Sequence, residues 1–233
     1  MSEVTMLVDQ ILLHINKGKF AANQKLPSEH ELADQFRVPR MIVRKAYERL
    51  QELGYIYSMQ GKGSFVKDRK KQIPLVFSKD VSFSEKMREL YSDYYSENVG
   101  CEPIPYHTEI YPSLSTDKDE QVYKIRRLRF LGKLPIALHT SYISESLFQD
   151  IGELGNTITS MFEYYRSKGY TDVYSEKSIL SVIFPTEFER EILQCSSLVP
   201  LLLLESRCLD RETGTVLEVS KIRYRSDCFT YII

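Results

Sequence analysis

Two pairs of arginines stand out by their spacing. Arg40 and Arg44 are four residues apart in a stretch whose apolar residues Ile42, Val43, Ala46, Tyr47, Leu50 and Leu53 recur at helical period, so both guanidiniums project from one helical face. An arginine fork can bridge the two acceptors of guanine in the major groove, a contact that discriminates by about 1–3 kcal/mol. Arg127 and Arg129 are two residues apart in a stretch that reads as a strand, which points them to the same side. Guanidiniums side by side repel unless an anion lies between them, and paired forks suit a phosphate. Glu218, Ser220 and Tyr224 share one face of a later strand, offering a carboxylate and two hydroxyls to the hydroxyls of a sugar. Two plainer readings stay open. The basic helix can be a solvated face of a protein-binding domain, and Glu218 can pair with Arg127 or Arg129 as a structural salt bridge.

The elements that must position these residues follow from periodicity. A first helix is expected over about Thr5–Lys17, with Leu7, Val8, Ile11, Leu12 and Ile15 on one face and Gly18 as its stop. Ser28 with Glu31 three residues on forms a capping box that opens a second helix. A third begins near Pro39 or Arg40 and ends at Gly54; Arg40, Arg44, Lys45 and Arg49 lie largely off its apolar stripe. Strands at Tyr55–Met59 and Ser64–Lys67 flank Gln60-Gly61-Lys62-Gly63, whose glycines permit a tight hairpin. Lys62 at its tip is placed to enter a minor groove.

Three helices and a hairpin make a winged helix-turn-helix over residues 1–68. The polar run Asp68–Gln72 opens a linker over 69–80, and residues 81–233 form the second domain. There the pattern predicts helices at Ser84–Glu97, Ser160–Lys168 and Thr186–Leu193. Strands are predicted at Val99–Tyr111, Gln121–Leu131, Ile136–Ser144, Tyr170–Ile183, Pro200–Asp210 and Thr215–Arg225. The expected fold is α+β, a winged head followed by a mixed domain on an antiparallel sheet.

Composition narrows the function classes. The net charge of −1 hides a basic head, with 13 Lys/Arg against 8 Asp/Glu in residues 1–72, on an acidic body, with 18 against 24 in the remainder. Only the head is suited to approach a polyanion. No apolar run reaches the roughly 20 residues that span a bilayer, and the start carries no signal-peptide pattern, so a cytoplasmic protein with no membrane partner is expected. Cys101, Cys195, Cys208 and Cys228 show no metal spacing and read as reduced thiols, and the four histidines form no HExxH pair. No metal or cofactor is expected.

The motifs carry two resemblances. Leu26-Pro-Ser-Glu-His-Glu-Leu-Ala-Asp-Gln-Phe36, Arg40-Met-Ile-Val-Arg44-Lys-Ala, Leu50, Gly54 and Gly61-Lys-Gly-Ser-Phe-Val66 together resemble the DNA-binding domain of GntR-family repressors. The resemblance implies DNA contacts at His30, Arg40, Ile42, Arg44, Gly61 and Lys62, with Ser28 and Lys45 beside them. The family typically has Arg at the position of His30, Ser or Thr at Pro39 and Thr at Ile42. His30 is largely neutral at pH 7, Pro39 brings no hydroxyl, and Ile42 cannot hydrogen-bond.

Residues 74–233 resemble the UTRA effector domain of the HutC branch. The carrying pieces are Arg127-Leu-Arg129, Gly132-Lys-Leu-Pro135, Ser160-Met-Phe162, Pro200-Leu-Leu, Asp210-Arg-Glu-Thr-Gly214, Leu217-Glu-Val-Ser220 and Arg223-Tyr-Arg-Ser-Asp227. That domain is similar in fold to chorismate lyase and lacks known catalysis. The resemblance implies that Phe83 and Ser84 wall an effector pocket and that Arg127, Arg129 and Ser160 hold an anionic group. Glu218 and Tyr224 then take the opposite end, Phe162 stands where sugar-phosphate sensors often have Tyr, and His139 where they tend to have an acidic residue.

The function implied is a homodimeric, ligand-responsive repressor of a metabolic operon. It would leave its operator when a small anion binds, a sugar phosphate first and a carboxylate as the alternative. An enzyme would have to use His139 with Glu218, the one tempting acid–base pair. A third reading keeps the fold without sensing, as a constitutive DNA-binding protein.

Overall fold

The computed structural model describes residues 2–68, 73–76, 83–176 and 178–232. The head consists of α1 (Glu3–Asn16), α2 (Glu29–Phe36), α3 (Arg40–Glu52) and the hairpin β1 (Ile56–Met59) and β2 (Gly63–Val66). The Ser28–Glu31 capping box is formed, each side chain accepting from the other's backbone N–H at 3.2 and 2.7 Å. Arg37, at φ 55°, turns the chain between α2 and α3. Pro39 sits outside α3 as its N-cap, with its carbonyl accepting from Ile42 N. Leu7, Ile11, Leu32, Val43, Ala46 and Leu50 form the head's core. Each large apolar side chain so buried contributes about 1.5–3 kcal/mol.

The body begins earlier than its expected helix. Ile73–Val76, inside the predicted linker, form β3, which pairs in parallel with the final strand β11 (Phe229–Ile232). After α4 (Phe83–Leu90) comes β4 (Tyr94–Ile104), where the sequence pattern predicts helix as far as Glu97. Tyr94 and Tyr95 are strand-favouring residues, and their ladder with the next strand overrides the helical period. The predicted strand to Tyr111 stops at Ile104, between Pro103 and Pro105, which bring no N–H donors. Ile110–Leu114 instead form the short helix α5, with Ile110, Tyr111 and Leu114 buried.

The long strands β5 (Val122–Leu131) and β6 (Leu134–Ser144) follow, then α6 (Ile151–Leu154), a 3₁₀ turn at Gly155–Thr157, and α7 (Met161–Ser167). The predicted strand over Tyr170–Ile183 is two short ones, β7 (Val173–Ser175) and β8 (Ile179–Ile183). They are followed by α8 (Glu187–Leu193), β9 (Leu201–Asp210) and β10 (Val216–Arg225). These strands form one antiparallel sheet in the order β4-β5-β6-β10-β9, with β7 and β8 each pairing successive parts of β9.

Residues opposed across antiparallel strands project to the same side. Arg127, His139 and Ile222 form one such row, Arg129, Ala137 and Tyr224 the next, and Ser141 and Ser220 lie on the same face. Apolar clusters flank this face: Met87, Tyr94, Tyr224 and Phe229 at one end, and Ile143, Phe148, Tyr165 and Leu217 at the other. On the opposite face Leu128 and Leu138 pack with Leu193 of α8. Among the described residues, no helix is long and apolar enough to cross a membrane, and no group of three or more His, Cys, Asp or Glu converges as a metal site.

Candidate functional site

The first candidate surface is the outer face of α3 with the hairpin tip. Arg40, Arg44 and Lys45 are exposed. Arg40 Nε donates to Glu29 at 2.8 Å and Arg44 Nε to Glu48 at 3.2 Å, exposed pairs that a phosphate or a base edge can replace at small cost. His30 is exposed 3.7 Å from Asp34, and Ser28 is engaged in its capping box. A Cβ added at Gly61, at φ 73°, would meet none of the described residues within 4 Å, and Lys62 beside it is exposed. Ile42 behaves differently: it is partly buried and packs on the head's core. Met41 takes the outer face instead, 59% exposed between Arg40 and Arg44. An apolar residue on an apolar-periodic helix ordinarily marks core, and Met41 is an exception.

The second candidate site is buried in the body. Arg127, Arg129, His139, Ser160, Ser84, Glu218 and Tyr224 are all buried, and Phe83 lies over the group, with ring centroids 5.1 Å from His139 and 5.6 Å from Tyr224. Arg127 lies 3.7 Å from Glu218, and the Ser141 hydroxyl bridges them, accepting from the guanidinium and donating to the carboxylate. The Tyr165 hydroxyl donates to the other Glu218 oxygen at 2.8 Å. This is the structural salt bridge left open above, and it takes Arg127 alone.

Arg129 donates to the Thr159 carbonyl at 2.8 Å, and among the described residues no carboxylate lies within ion-pair distance of it. Burial and the neighbouring Arg127 push its pKa down to about 10, which leaves it cationic at neutral pH. His139 is held neutral: burial, then Arg129 and Arg127, push its pKa well below the ordinary value. Three buried nitrogens here, Arg127 Nε, Arg129 Nε and His139 Nε2, have no hydrogen-bond partner among the described residues. Among the described residues the cluster sets one carboxylate, Glu218, against two guanidiniums and a neutral imidazole, an excess of one positive charge.

The remaining expected residues sit at its margin. Ser84 accepts from Tyr94 at 3.3 Å, and Ser160 caps α7, accepting from Glu163 N. Phe162 packs near Tyr165, with ring centroids 6.3 Å apart. Arg126, next to Arg127 on β5, is half-buried against Glu102 and the Phe188 ring. Ser141, Tyr165 and Thr159 were not anticipated. Strand alternation from His139 was the one signal that pointed to Ser141.

Comparison with known proteins fits this two-part layout. The family described as "Bacterial regulatory proteins, gntR family" matches residues 4–66, and the family described as "UTRA domain" matches residues 91–230. The chain is 27% identical to the HTH-type transcriptional repressor NagR of Bacillus subtilis, covering 97% of this chain and 91% of that one. It is 26% identical to the mannosyl-D-glycerate transport/metabolism system repressor MngR of Escherichia coli, covering 97% and 93%. In fold it is similar to the crystal structure of PhnF from Mycobacterium smegmatis, with a TM-score of 0.61 at 20% identity, covering 98% and 97% of the two chains. A GntR-type winged helix-turn-helix head joined to a body matched over most of its length by the UTRA domain identifies the chain as a UTRA-domain member of the GntR family of regulatory proteins.

Proposed function

We propose that this protein is a ligand-responsive transcriptional repressor that works as a homodimer in the cytoplasm and leaves its operator when a small anion enters the body. One observation carries the sensor half: Arg129 is buried, cationic and without a carboxylate partner among the described residues. Burying an uncompensated charge is costly, and an anionic effector removes that cost. In this reading Arg129 and Ser160 take the anionic group, while Phe83, His139 and Tyr224 contact the remainder. Neutral His139 gives an ammonium group no counter-charge, so the effector is a sugar phosphate without an amine beside His139. Relatives named as repressors, one of them of a mannosyl-D-glycerate system, support a sugar-derived ligand.

In the head, Arg40, Met41 and Arg44 read base edges, with Lys45, His30 and Ser28 near phosphates and Gly61-Lys62 in the minor groove. Two heads are needed because half-sites lie about one DNA turn apart. Against an enzyme, both oxygens of Glu218 are engaged by Ser141 and Tyr165, which removes Glu218 as a free acid–base partner for His139.

Thermal-shift titration tests the sensor. Glucose 6-phosphate is expected to raise the melting temperature, by mass action equivalent to about 2.7 kcal/mol at a hundred times its dissociation constant. Glucosamine 6-phosphate is expected to be weaker, and glucose inert. Absence of any shift across phosphosugars and carboxylates would reject the sensor.

A further inference from the structure

The recognition helix α3 rests on the body by its C-terminal end. Gly54 follows it at φ 73°, and a Cβ there would stand 2.8 Å from Val199 Cγ2 and 3.9 Å from Asp227 Oδ2. The Ser196 hydroxyl donates to the Gln51 carbonyl at 3.3 Å, and Lys67, just past the hairpin, donates to Asp227 Oδ2 at 2.5 Å.

Asp227 does not need Lys67 for neutrality. Arg225 is buried and already pairs with it twice, Nε to Oδ1 at 3.0 Å and NH2 to Oδ2 at 2.9 Å. Its third nitrogen donates to the carbonyls of Pro135 and Leu193, tying β6 and the end of α8 to the turn after β10. Lys67 is thus a second cation on a satisfied carboxylate, one-third exposed and free to return to water. The same two strands carry the buried cluster: His139 lies on β6, and Tyr224, against Phe83, immediately precedes Arg225 on β10.

We infer that Lys67, Ser196 and the Arg225–Asp227 pair form a seat that positions the DNA-reading head on the body, and that β10 links this seat to the effector cluster. The seat grips the rear of α3 and leaves Arg40, Met41 and Arg44 exposed, so the seated head is competent to bind DNA. Filling the cluster displaces Tyr224, shifts Arg225 and unseats the head. These are positioning residues, and the coupling half of the inference rests on the effector reading proposed above.

The test uses the full-length protein, a duplex that it selects from a random-sequence library, and glucose 6-phosphate as probe. In Lys67→Ala/Ser196→Ala, amide hydrogen exchange is expected to rise several-fold in residues 51–57 and 194–200. Duplex affinity falls about five- to tenfold with its salt dependence unchanged, and Lys67→Arg restores it. Unchanged exchange in the double variant overturns the seat. So does a salt slope lowered by about one with Ser196→Ala at wild-type affinity, because Lys67 would then be a phosphate contact. Glucose 6-phosphate is expected to weaken duplex binding and raise exchange in 51–57 in the wild type, and to do neither in the double variant. An equal response in both overturns the coupling. A wild type that responds to no phosphosugar or carboxylate defeats the effector reading and the coupling with it, while the exchange data still decide the seat.

Discussion

The Glu218 carboxylate stands 3.7 Å from the Arg127 guanidinium, with the Ser141 hydroxyl between them. Two residues along the same strand, Arg129 is equally buried and has no such partner among the described residues. The two arginines therefore have different tasks. Arg127→Ala strands a buried carboxylate and is expected to destabilise the body by on the order of 3 kcal/mol. Arg129→Ala removes an uncompensated charge and is expected to leave stability within about 1 kcal/mol or raise it. Denaturant unfolding of both variants checks this; equal losses would remove the distinction.

His139 sets a pH dependence. Its folded-state pKa lies below the unfolded value of 6.5, so the unfolded chain binds a proton that the folded chain excludes. Stability from this group is present above pH 6.5 and is lost as pH falls, by up to about 1.4 kcal/mol per unit. Unfolding measured from pH 7.5 to 5.5 is expected to show a shallower slope in His139→Gln than in the wild type. Parallel slopes would show that His139 titrates normally.

Met41 and Ile42 are expected to separate cleanly. Met41 is exposed, so Met41→Ala keeps the head folded and weakens duplex binding, by about 1 kcal/mol if it covers a thymine methyl. Replacing thymine by uracil in the selected duplex should reproduce that loss at one position per half-site and have no effect on the variant. Ile42 packs on the core, and Ile42→Ala is expected to lower the head's stability by about 1–2 kcal/mol with little change in base preference.

In the proposed complex, Lys62 at the wing tip lies along the minor groove and supplies charge to its phosphates without reading bases. Lys62→Ala should weaken binding across all duplex sequences alike and lower the salt slope by about one. A change in the selected sequence instead would give the wing a base-reading role.

Much of this was legible before the fold was known, and the exceptions have physical causes. The capping box at Ser28 and the shared face of Arg127 and Arg129 follow from local rules of three-residue and two-residue spacing, and both appear as expected. Which arginine Glu218 takes is set by strand register, and Ser141 and Tyr165 lie 77 and 53 residues from it in the chain, beyond any local pattern. The first residues of β4, Tyr94–Glu97, fall within the predicted helix because Ser84–Leu90 do form one, and the ladder that ends it is made with β5, about 30 residues on. Ile42 could have been placed inward from its own position on the apolar stripe; the resemblance pulled it outward. The contact of Lys67 with Asp227 spans 160 residues and leaves no trace in the sequence.

The central claim is that an anion bound at Arg129 releases the protein from DNA. It is tested most directly by titrating glucose 6-phosphate into the protein–duplex complex and following fluorescence anisotropy in the wild type and in Arg129→Ala. The account expects the wild-type duplex affinity to fall at least fivefold and the variant, folded and DNA-bound, not to respond. Release that is the same in both proteins would contradict it.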